Sequence, residues 1–137
     1  MINVLFICVH NAGRSQMAEA FFNHLAPDGM KACSAGTEPA SSVNPIVSQA
    51  MADKGIDISG RKPKLLDSEI TGSSQRVITM GCGVSESCTV YLGLKIDEDW
   101  ELDDPAGKTL EEVRAIRDSI LERVEKLIGE LKSRIGD

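Results

Sequence analysis

The chain has 137 residues, a formal net charge of −6 and 42% hydrophobic residues. That length fits one domain, and we expect residues 1–137 to fold as a single unit that buries about two-thirds of its unfolded surface. An acidic chain is a poor candidate for binding nucleic acid, because phosphate contacts need clustered Lys and Arg. Any bound anion must therefore be held by a local group of donors.

The lack of a recognisable targeting signal, together with the cysteine content, predicts a cytoplasmic protein without a membrane partner. No apolar run approaches the roughly 18 residues of a membrane span. Met1–Cys8 is apolar but lacks the basic leading segment and the cleavage site of a signal peptide. Because the cytosol keeps thiols reduced, the four cysteines suggest catalysis, redox chemistry or metal binding rather than structural disulfides.

Short apolar runs alternate with amphipathic segments along the chain. The predicted elements, in chain order, are a strand at Ile2–Cys8, a helix at Ser15–Leu25, a strand at Met30–Ala35 closed by Gly36, a helix at Ile46–Lys54 begun by Pro45, a short helix at Leu65–Ile70, a strand at Arg76–Met80 and a fourth strand within Thr89–Leu102. This alternation predicts an α/β fold with a four-stranded parallel sheet between helical layers, wound as in flavodoxin. Ligands of such sheets bind beyond the carboxyl ends of the strands.

The last segment is the clearest helix. One apolar stripe repeats at spacings of three and four residues: Leu110, Val113, Ile116, Ile120, Val124, Leu127 and Leu131. Thr109 is placed to cap this helix, with Glu112 as its partner in a capping box.

The turn after the first strand has the composition of an oxyanion-binding loop. Its residues are Cys8, Val9, His10, Asn11, Ala12, Gly13, Arg14 and Ser15. Small residues let successive amides turn inward, and the start of the following helix adds donors and partial positive charge. Arg14 can pair two oxyanion oxygens, and the same environment favours the thiolate form of Cys8, to which Ser15 can donate. The alternative is an ordinary buried cysteine.

Two further cysteines follow the third strand. Cys82 and Cys88 are not spaced as C-x-x-C, and in a helix they would lie about 9 Å apart along the axis. A disulfide needs α-carbons within about 7 Å, so pairing them would require a turn or local unwinding. Zinc binding and two unrelated loop cysteines remain as alternatives, although the four cysteines lack the paired spacing of zinc ligands.

A carboxylate precedes the last helix. Asp104 stands before Pro105, which favours an extended conformation and keeps Asp104 out of the helix. Its carboxyl could reach over the loop and act as general acid for a departing oxygen. A simple turn aspartate is the alternative, and Asp103 is a competing candidate.

Together these motifs resemble a known family. C-x5-R-S after the first strand and Asp104-Pro105 before the last helix resemble the low-molecular-weight protein tyrosine phosphatases. The set of Cys8, Cys82 and Cys88 resembles the cysteines of the thioredoxin-coupled arsenate reductases within that family. Stretches 14–20, 34–36 and 104–108 are similar to the same reductases.

The resemblance implies a relay in which Cys8 attacks arsenate, Cys82 attacks Cys8, and Cys88 then forms a disulfide with Cys82 that thioredoxin reduces. It implies catalytic roles for Arg14 and Asp104, with phosphate and sulfate as mimics of arsenate. No tightly bound cofactor is implied, and a monomer is expected. Glutaredoxin or a small thiol is the alternative reductant.

Other positions carry weaker implications. Asn11, Glu19 and Ser34 match residues that hold potassium in some members, so a potassium ion is a candidate ligand. Gly13 stands where many relatives have a second cysteine. His10 is expected on the pocket wall or on the surface, without a catalytic role, and Cys33 is expected in the core.

Two other functions remain open on the sequence alone. A phosphatase acting on phosphotyrosine or a small phosphoester would use the same loop, because phosphate and arsenate are nearly isosteric. A non-catalytic oxyanion sensor with a redox-active disulfide would do so too. Ala106-Gly107 in place of aromatic residues, together with Cys82 and Cys88, favours the reductase.

Overall fold

The computed structural model describes residues 2–81 and 96–135. Its elements are β1 (Ile2–Cys8), α1 (Arg14–Leu25), β2 (Ala32–Gly36), α2 (Pro45–Ala52), α3 (Ser68–Gly72), β3 (Ser74–Thr79), β4 (Glu98–Asp99) and α4 (Leu110–Ile135). The strands pair in the order β2-β1-β3-β4, and every pairing is parallel. The predicted four-stranded parallel sheet is therefore confirmed.

Strand β1 lies at the centre of the core because its side chains are apolar on both faces. Val4, Phe6 and Cys8 point to the side covered by the three longer helices, and Leu5 and Ile7 point to the other. Helices α1, α2 and α4 supply most of the first layer, while Leu66 and Ile70 cover the second face. The alternation thus directs Cys8 toward α1.

Helix α4 confirms the predicted stripe and capping box. Val113, Ile120 and Val124 are fully buried on the sheet side. The amide and hydroxyl of Thr109 donate to Glu112 Oε1, each over 3.1 Å, and the Glu112 amide donates to Thr109 Oγ1 over 3.2 Å. The backbone and side-chain hydrogen bonds from Thr109 hold the pKa of Glu112 below its usual value.

The short helix predicted over Leu65–Ile70 is wrong at its start. Leu65 forms a parallel bridge with Gly36, so the chain is extended there. The helix begins at Ser68 because the Asp67 side chain accepts a hydrogen bond from the Ile70 amide over 2.8 Å, capping that end.

Other boundaries also differ from prediction. Strand β3 spans Ser74–Thr79 rather than Arg76–Met80, and α1 begins at Arg14 rather than Ser15. Strand β2 begins at Ala32 rather than Met30, and the Asn23 side chain bonds both the amide and the carbonyl of Ala32. The strand also includes Gly36, which was predicted to follow its end. Helix α2 ends at Ala52 instead of Lys54.

The fourth strand falls inside its predicted window but is only two residues long. Asp99 of β4 accepts hydrogen bonds from the Thr79 hydroxyl and, over 3.0 Å, from the Gly81 amide. These contacts fix the end of β3 beside β1, where Met80 donates to the Ile7 carbonyl over 2.9 Å. Among the described residues, no helix is long and apolar enough to cross a membrane.

Candidate active site

Cys8 ends β1 at the carboxyl edge of the sheet and is 3% exposed. Its Sγ lies 2.8 Å from Ser15 Oγ in the first turn of α1. Asn11 Nδ2 donates to the same hydroxyl oxygen over 2.7 Å. Because an amide nitrogen can only donate, the Ser15 oxygen is the acceptor in that bond, and its own proton is left to point at Cys8. The arrangement therefore lets Ser15 donate a hydrogen bond to the Cys8 sulfur.

Asn11 holds the shape of the loop from inside. It adopts a left-handed backbone with φ of 51°, and its side chain is completely buried. Its Oδ1 accepts from Gln16 Nε2 over 3.1 Å and from the Lys64 amide over 2.9 Å. The loop therefore depends on hydrogen bonds to a distant segment as well as on its own small residues.

Arg14 is the first residue of α1 and is 4% exposed. Its Nη1 donates to the carbonyls of Met80 over 2.9 Å and Leu102 over 3.0 Å. Those carbonyls hold one edge of the guanidinium at the sheet, and the side chain also lines the cavity above Cys8. A clamped planar fork beside a thiol is suited to binding two oxygens of an oxyanion.

Asp104 lies opposite the loop in a tight turn. Its Oδ2 is 4.0 Å from Arg14 Nη2, its side chain is 46% exposed, and its Oδ1 accepts from the Ala106 amide over 3.0 Å. Asp104 lines the cavity, whereas Asp103 lines a separate groove beside α4. The structure thus distinguishes the two candidate carboxylates and places Asp104 on the same cavity as Cys8.

The cavity that these residues surround has a volume of about 50 Å³. Its lining residues are Cys8, His10, Ala12, Gly13, Arg14, Asn44, Asp104, Pro105 and Ala106. Asn44 was not predicted as a site residue. Its side chain caps α2 by accepting a hydrogen bond from the Ile46 amide over 2.9 Å. Its backbone amide donates to the Ala12 carbonyl over 2.9 Å, which joins the start of α2 to the loop.

The remaining loop residues lie as follows. His10 is exposed on the cavity wall with Nδ1 3.0 Å from the Glu38 carbonyl oxygen. Val9 packs partly buried against the second face of the sheet. Cys82 and Cys88 lie outside the described residues.

Cys33, expected in the core, lies in β2 and packs half-buried against the apolar cluster on the second face of the sheet. The Lys64 ammonium lies 3.5 Å from its Sγ.

The three residues considered for potassium are close together but do not fit that ion. Glu19 is 5% exposed, and its carboxylate pairs with Arg61, with Lys64 Nζ over 3.1 Å, and with the Ser34 hydroxyl over 3.1 Å. Two cationic side chains therefore already neutralise the carboxylate, and Asn11 Oδ1 is taken by two donors.

Neither cation was predicted, because nothing local in the sequence links residues 61 and 64 to Glu19. Burial acts to lower the pKa of Lys64, but Glu19 and Cys33 outweigh it and raise that pKa above its usual value. Among residues 2–81 and 96–135, no group of three or more His, Cys, Asp or Glu could hold a metal ion.

The fold and this loop define a class of protein. Residues 3–135 match the family described as low molecular weight phosphotyrosine protein phosphatase. The chain therefore belongs to that family.

Several of its relatives within the family are arsenate reductases. The glutaredoxin arsenate reductase of Synechocystis sp. is 38% identical over 96% of this chain and 99% of its own length. The arsenate reductase of Staphylococcus aureus is 37% identical over 90% and 93%. The solved thioredoxin-dependent arsenate reductase of Corynebacterium glutamicum is 38% identical with a TM-score of 0.78, over 98% of this chain and 63% of that one. The resemblance carried by the motifs is confirmed.

Proposed function

We propose that this chain reduces arsenate to arsenite, with Cys8 as the nucleophile. The observation that carries the proposal is the Cys8 thiol at the base of a small cavity, hydrogen-bonded to Ser15 and facing Arg14 and Asp104. That combination supplies an activated nucleophile, a cationic fork and a carboxyl group. The arsenate reductases among the relatives give the substrate.

In the first step the Cys8 thiolate attacks arsenic and displaces one oxygen, forming an S–As bond while arsenic remains As(V). Arg14 and the loop amides neutralise charge on the other oxygens. Asp104 transfers a proton to the departing oxygen, which leaves as water. Its half-exposed carboxyl lies 4.0 Å from Arg14, on the side of the cavity opposite the loop.

In the second step the Cys82 thiolate attacks the Cys8 sulfur. An S–S bond forms, and the electron pair of the S–As bond passes to arsenic, which leaves as As(III) arsenite. Cys88 then attacks Cys82, so that Cys8 departs as a thiolate and a Cys82–Cys88 disulfide remains. The described chain reaches Gly81 at the same edge of the sheet, where the Met80 carbonyl contacts Arg14. This placement supports the proposed approach of Cys82.

A dithiol partner must return two electrons to the disulfide. We propose thioredoxin, in line with the thioredoxin-dependent Corynebacterium relative, although the Synechocystis relative bears the name of glutaredoxin. No tightly bound cofactor is needed in this scheme. We also propose that residues 1–137 act as one monomeric domain in the cytoplasm, where such reductants keep thiols reduced.

The test is arsenate-dependent NADPH oxidation in the presence of thioredoxin and thioredoxin reductase. The wild type should turn over, and Cys8→Ser, Cys82→Ser and Cys88→Ser should each abolish turnover. Cys33→Ser is the matched control and should retain it. Replacing thioredoxin by glutaredoxin and glutathione identifies the reductant. A wild type that hydrolyses an aryl phosphate but does not oxidise NADPH would instead be a phosphatase.

A further inference from the structure

Gly81, the residue that precedes Cys82, is held by a side chain of the neighbouring strand β4. Strand β3 ends at Thr79. Two residues later, the Gly81 amide donates a hydrogen bond to Asp99 Oδ1 over 3.0 Å. The Thr79 hydroxyl donates to the same oxygen. One carboxylate oxygen therefore ties the chain just past β3 back to the strand itself.

The Thr79 hydroxyl fixes where the Asp99 carboxylate points. Thr79 is fully buried, and its β-branched side chain has few rotamers, so the hydroxyl has a set position. Asp99 is exposed, and without this donor its side chain could turn into solvent. The hydrogen bond from Thr79 thus keeps Asp99 in place to receive the Gly81 amide.

The backbone held in this way lies beside the oxyanion site. Gly81 has φ of 95°, in the left-handed region that favours glycine. A β-carbon built on it would lie 3.5 Å from Arg14 Nη1 and 3.4 Å from the Leu102 carbonyl oxygen. Covalent geometry keeps the α-carbon of Cys82 about 3.8 Å from that of Gly81. Asp99 therefore anchors the chain one residue from the proposed second nucleophile and next to the arginine of the site.

We propose that Asp99 is a positioning residue for the second step of the relay. By holding Gly81, it fixes the point from which Cys82 starts its attack. This rests on the proposed function, in which the Cys82 thiolate attacks the Cys8 sulfur, an S–S bond forms and the electron pair of the S–As bond passes to arsenic. Asp99 acts through the backbone of Gly81, so its loss should slow disulfide formation without weakening the binding of the oxyanion.

The test compares variants built in a parent protein that carries Cys88→Ser, which stops the relay at the Cys8–Cys82 disulfide. One readout is the rate at which this disulfide forms after mixing with saturating arsenate and no external reductant, followed by acid quench and peptide mass spectrometry. The other is the affinity for inorganic phosphate, measured by its protection of Cys8 against iodoacetamide. Only the first readout depends on the approach of Cys82.

We expect Asp99→Ala to form the disulfide at least roughly tenfold more slowly than the parent, because a misplacement of about 1 Å can cost on the order of a hundredfold in rate. Its phosphate affinity should stay within about threefold of the parent value. Asp99→Asn should keep the disulfide rate within about threefold, since its amide oxygen can accept from the same two donors, although less strongly than a carboxylate.

Asp97→Ala is the matched control. Asp97 is also exposed and also bonds the backbone of β3, because its Oδ2 accepts from the Val77 amide over 2.8 Å. That contact lies farther from Cys82 along the chain, so its loss should lower the unfolding free energy but leave the disulfide rate unchanged. A merely structural role for Asp99 would make the two alanine variants behave alike.

Three results would overturn the inference alone: a parent-like disulfide rate in Asp99→Ala, an equal decrease in Asp97→Ala, or a loss of phosphate affinity in Asp99→Ala as large as the loss of rate. Failure of the parent protein to form the Cys8–Cys82 disulfide would instead contradict the proposed relay itself.

Thr79→Val provides a second route if Asp99→Ala does not fold. It keeps the shape of the side chain but removes the hydroxyl that orients Asp99. The disulfide should then form more slowly while the phosphate affinity is kept, and an unchanged disulfide rate would equally overturn the inference.

Discussion

Replacing Ser15 by alanine should slow the chemistry of Cys8 while leaving the fold intact. The Ser15 hydroxyl lies 2.8 Å from Cys8 Sγ and is oriented by the Asn11 amide. A hydrogen bond to a charged group contributes about 1.5–3 kcal/mol. Loss of a contribution of that size is roughly a ten- to hundredfold change in an equilibrium constant.

The measured rate should fall by less than that factor. A more basic thiolate is also more nucleophilic, with a Brønsted coefficient of about 0.4–0.5. The net decrease in the rate of alkylation of Cys8 by iodoacetamide at pH 7 is therefore roughly three- to tenfold. Turnover with arsenate should decrease in the same direction.

Peptide mass spectrometry separates the rate at Cys8 from the rates at the other cysteines. Cys33 is an internal reference, because it contacts Lys64 and not Ser15, and its alkylation rate should not change. An unchanged rate at Cys8 in a folded Ser15→Ala protein would refute the role given to this hydroxyl. A parallel decrease at both cysteines would point to a general structural change instead.

Three further predictions concern the site and its support. Arg14→Lys keeps the charge but loses the fork, and should lower kcat/KM for arsenate by at least roughly tenfold, measured by NADPH oxidation. Because Lys64 already neutralises Glu19, the thermal midpoint of the wild type should be the same in KCl and NaCl at equal ionic strength, and a higher midpoint in KCl would contradict this reading. Thr109→Ala should cost about 1 kcal/mol of unfolding free energy in urea by removing the cap of α4. Since the folded pKa of Glu112 is lowered, the pH-dependent part of the capping-box contribution is present above the unfolded Glu pKa and lost as pH falls through the folded value, so the difference in unfolding free energy between wild type and variant should narrow in acid.

The sequence predicted the features that depend on local patterns. The continuous apolar run of β1 required a buried central strand, and the residues after Cys8 required a loop that opens a helix. The capping box at Thr109 is likewise a pattern of adjacent residues. Each was confirmed because the physical cause and its effect lie within a few residues of one another.

The contacts that the sequence could not predict all join distant segments. Arg61 and Lys64 reach Glu19 from a loop between α2 and α3, and no local pattern marks them as its partners. The close approach of Pro105 to Gly13 likewise depends on how the turn before α4 packs over the first loop. Such contacts follow from the assembled fold, so periodicity and turn chemistry carry no signal for them.

The boundary errors have a related cause. Leu65 is apolar and suits a helix by pattern, but the carboxyl edge of β2 offers it a bridge to Gly36. Asp67 then provides the cap that starts α3 later. Competition between a tertiary pairing and a local propensity decided the outcome.

The most direct test of the central claim is a single turnover of reduced protein with excess arsenate and no external reductant. The relay predicts one arsenite released per protein chain, one disulfide that peptide mass mapping assigns to Cys82–Cys88, and a Cys8 that can still be alkylated. Cys88→Ser should stop one step earlier with a Cys8–Cys82 disulfide. No arsenite, or arsenite released with Cys82 and Cys88 both still reduced, would contradict the account.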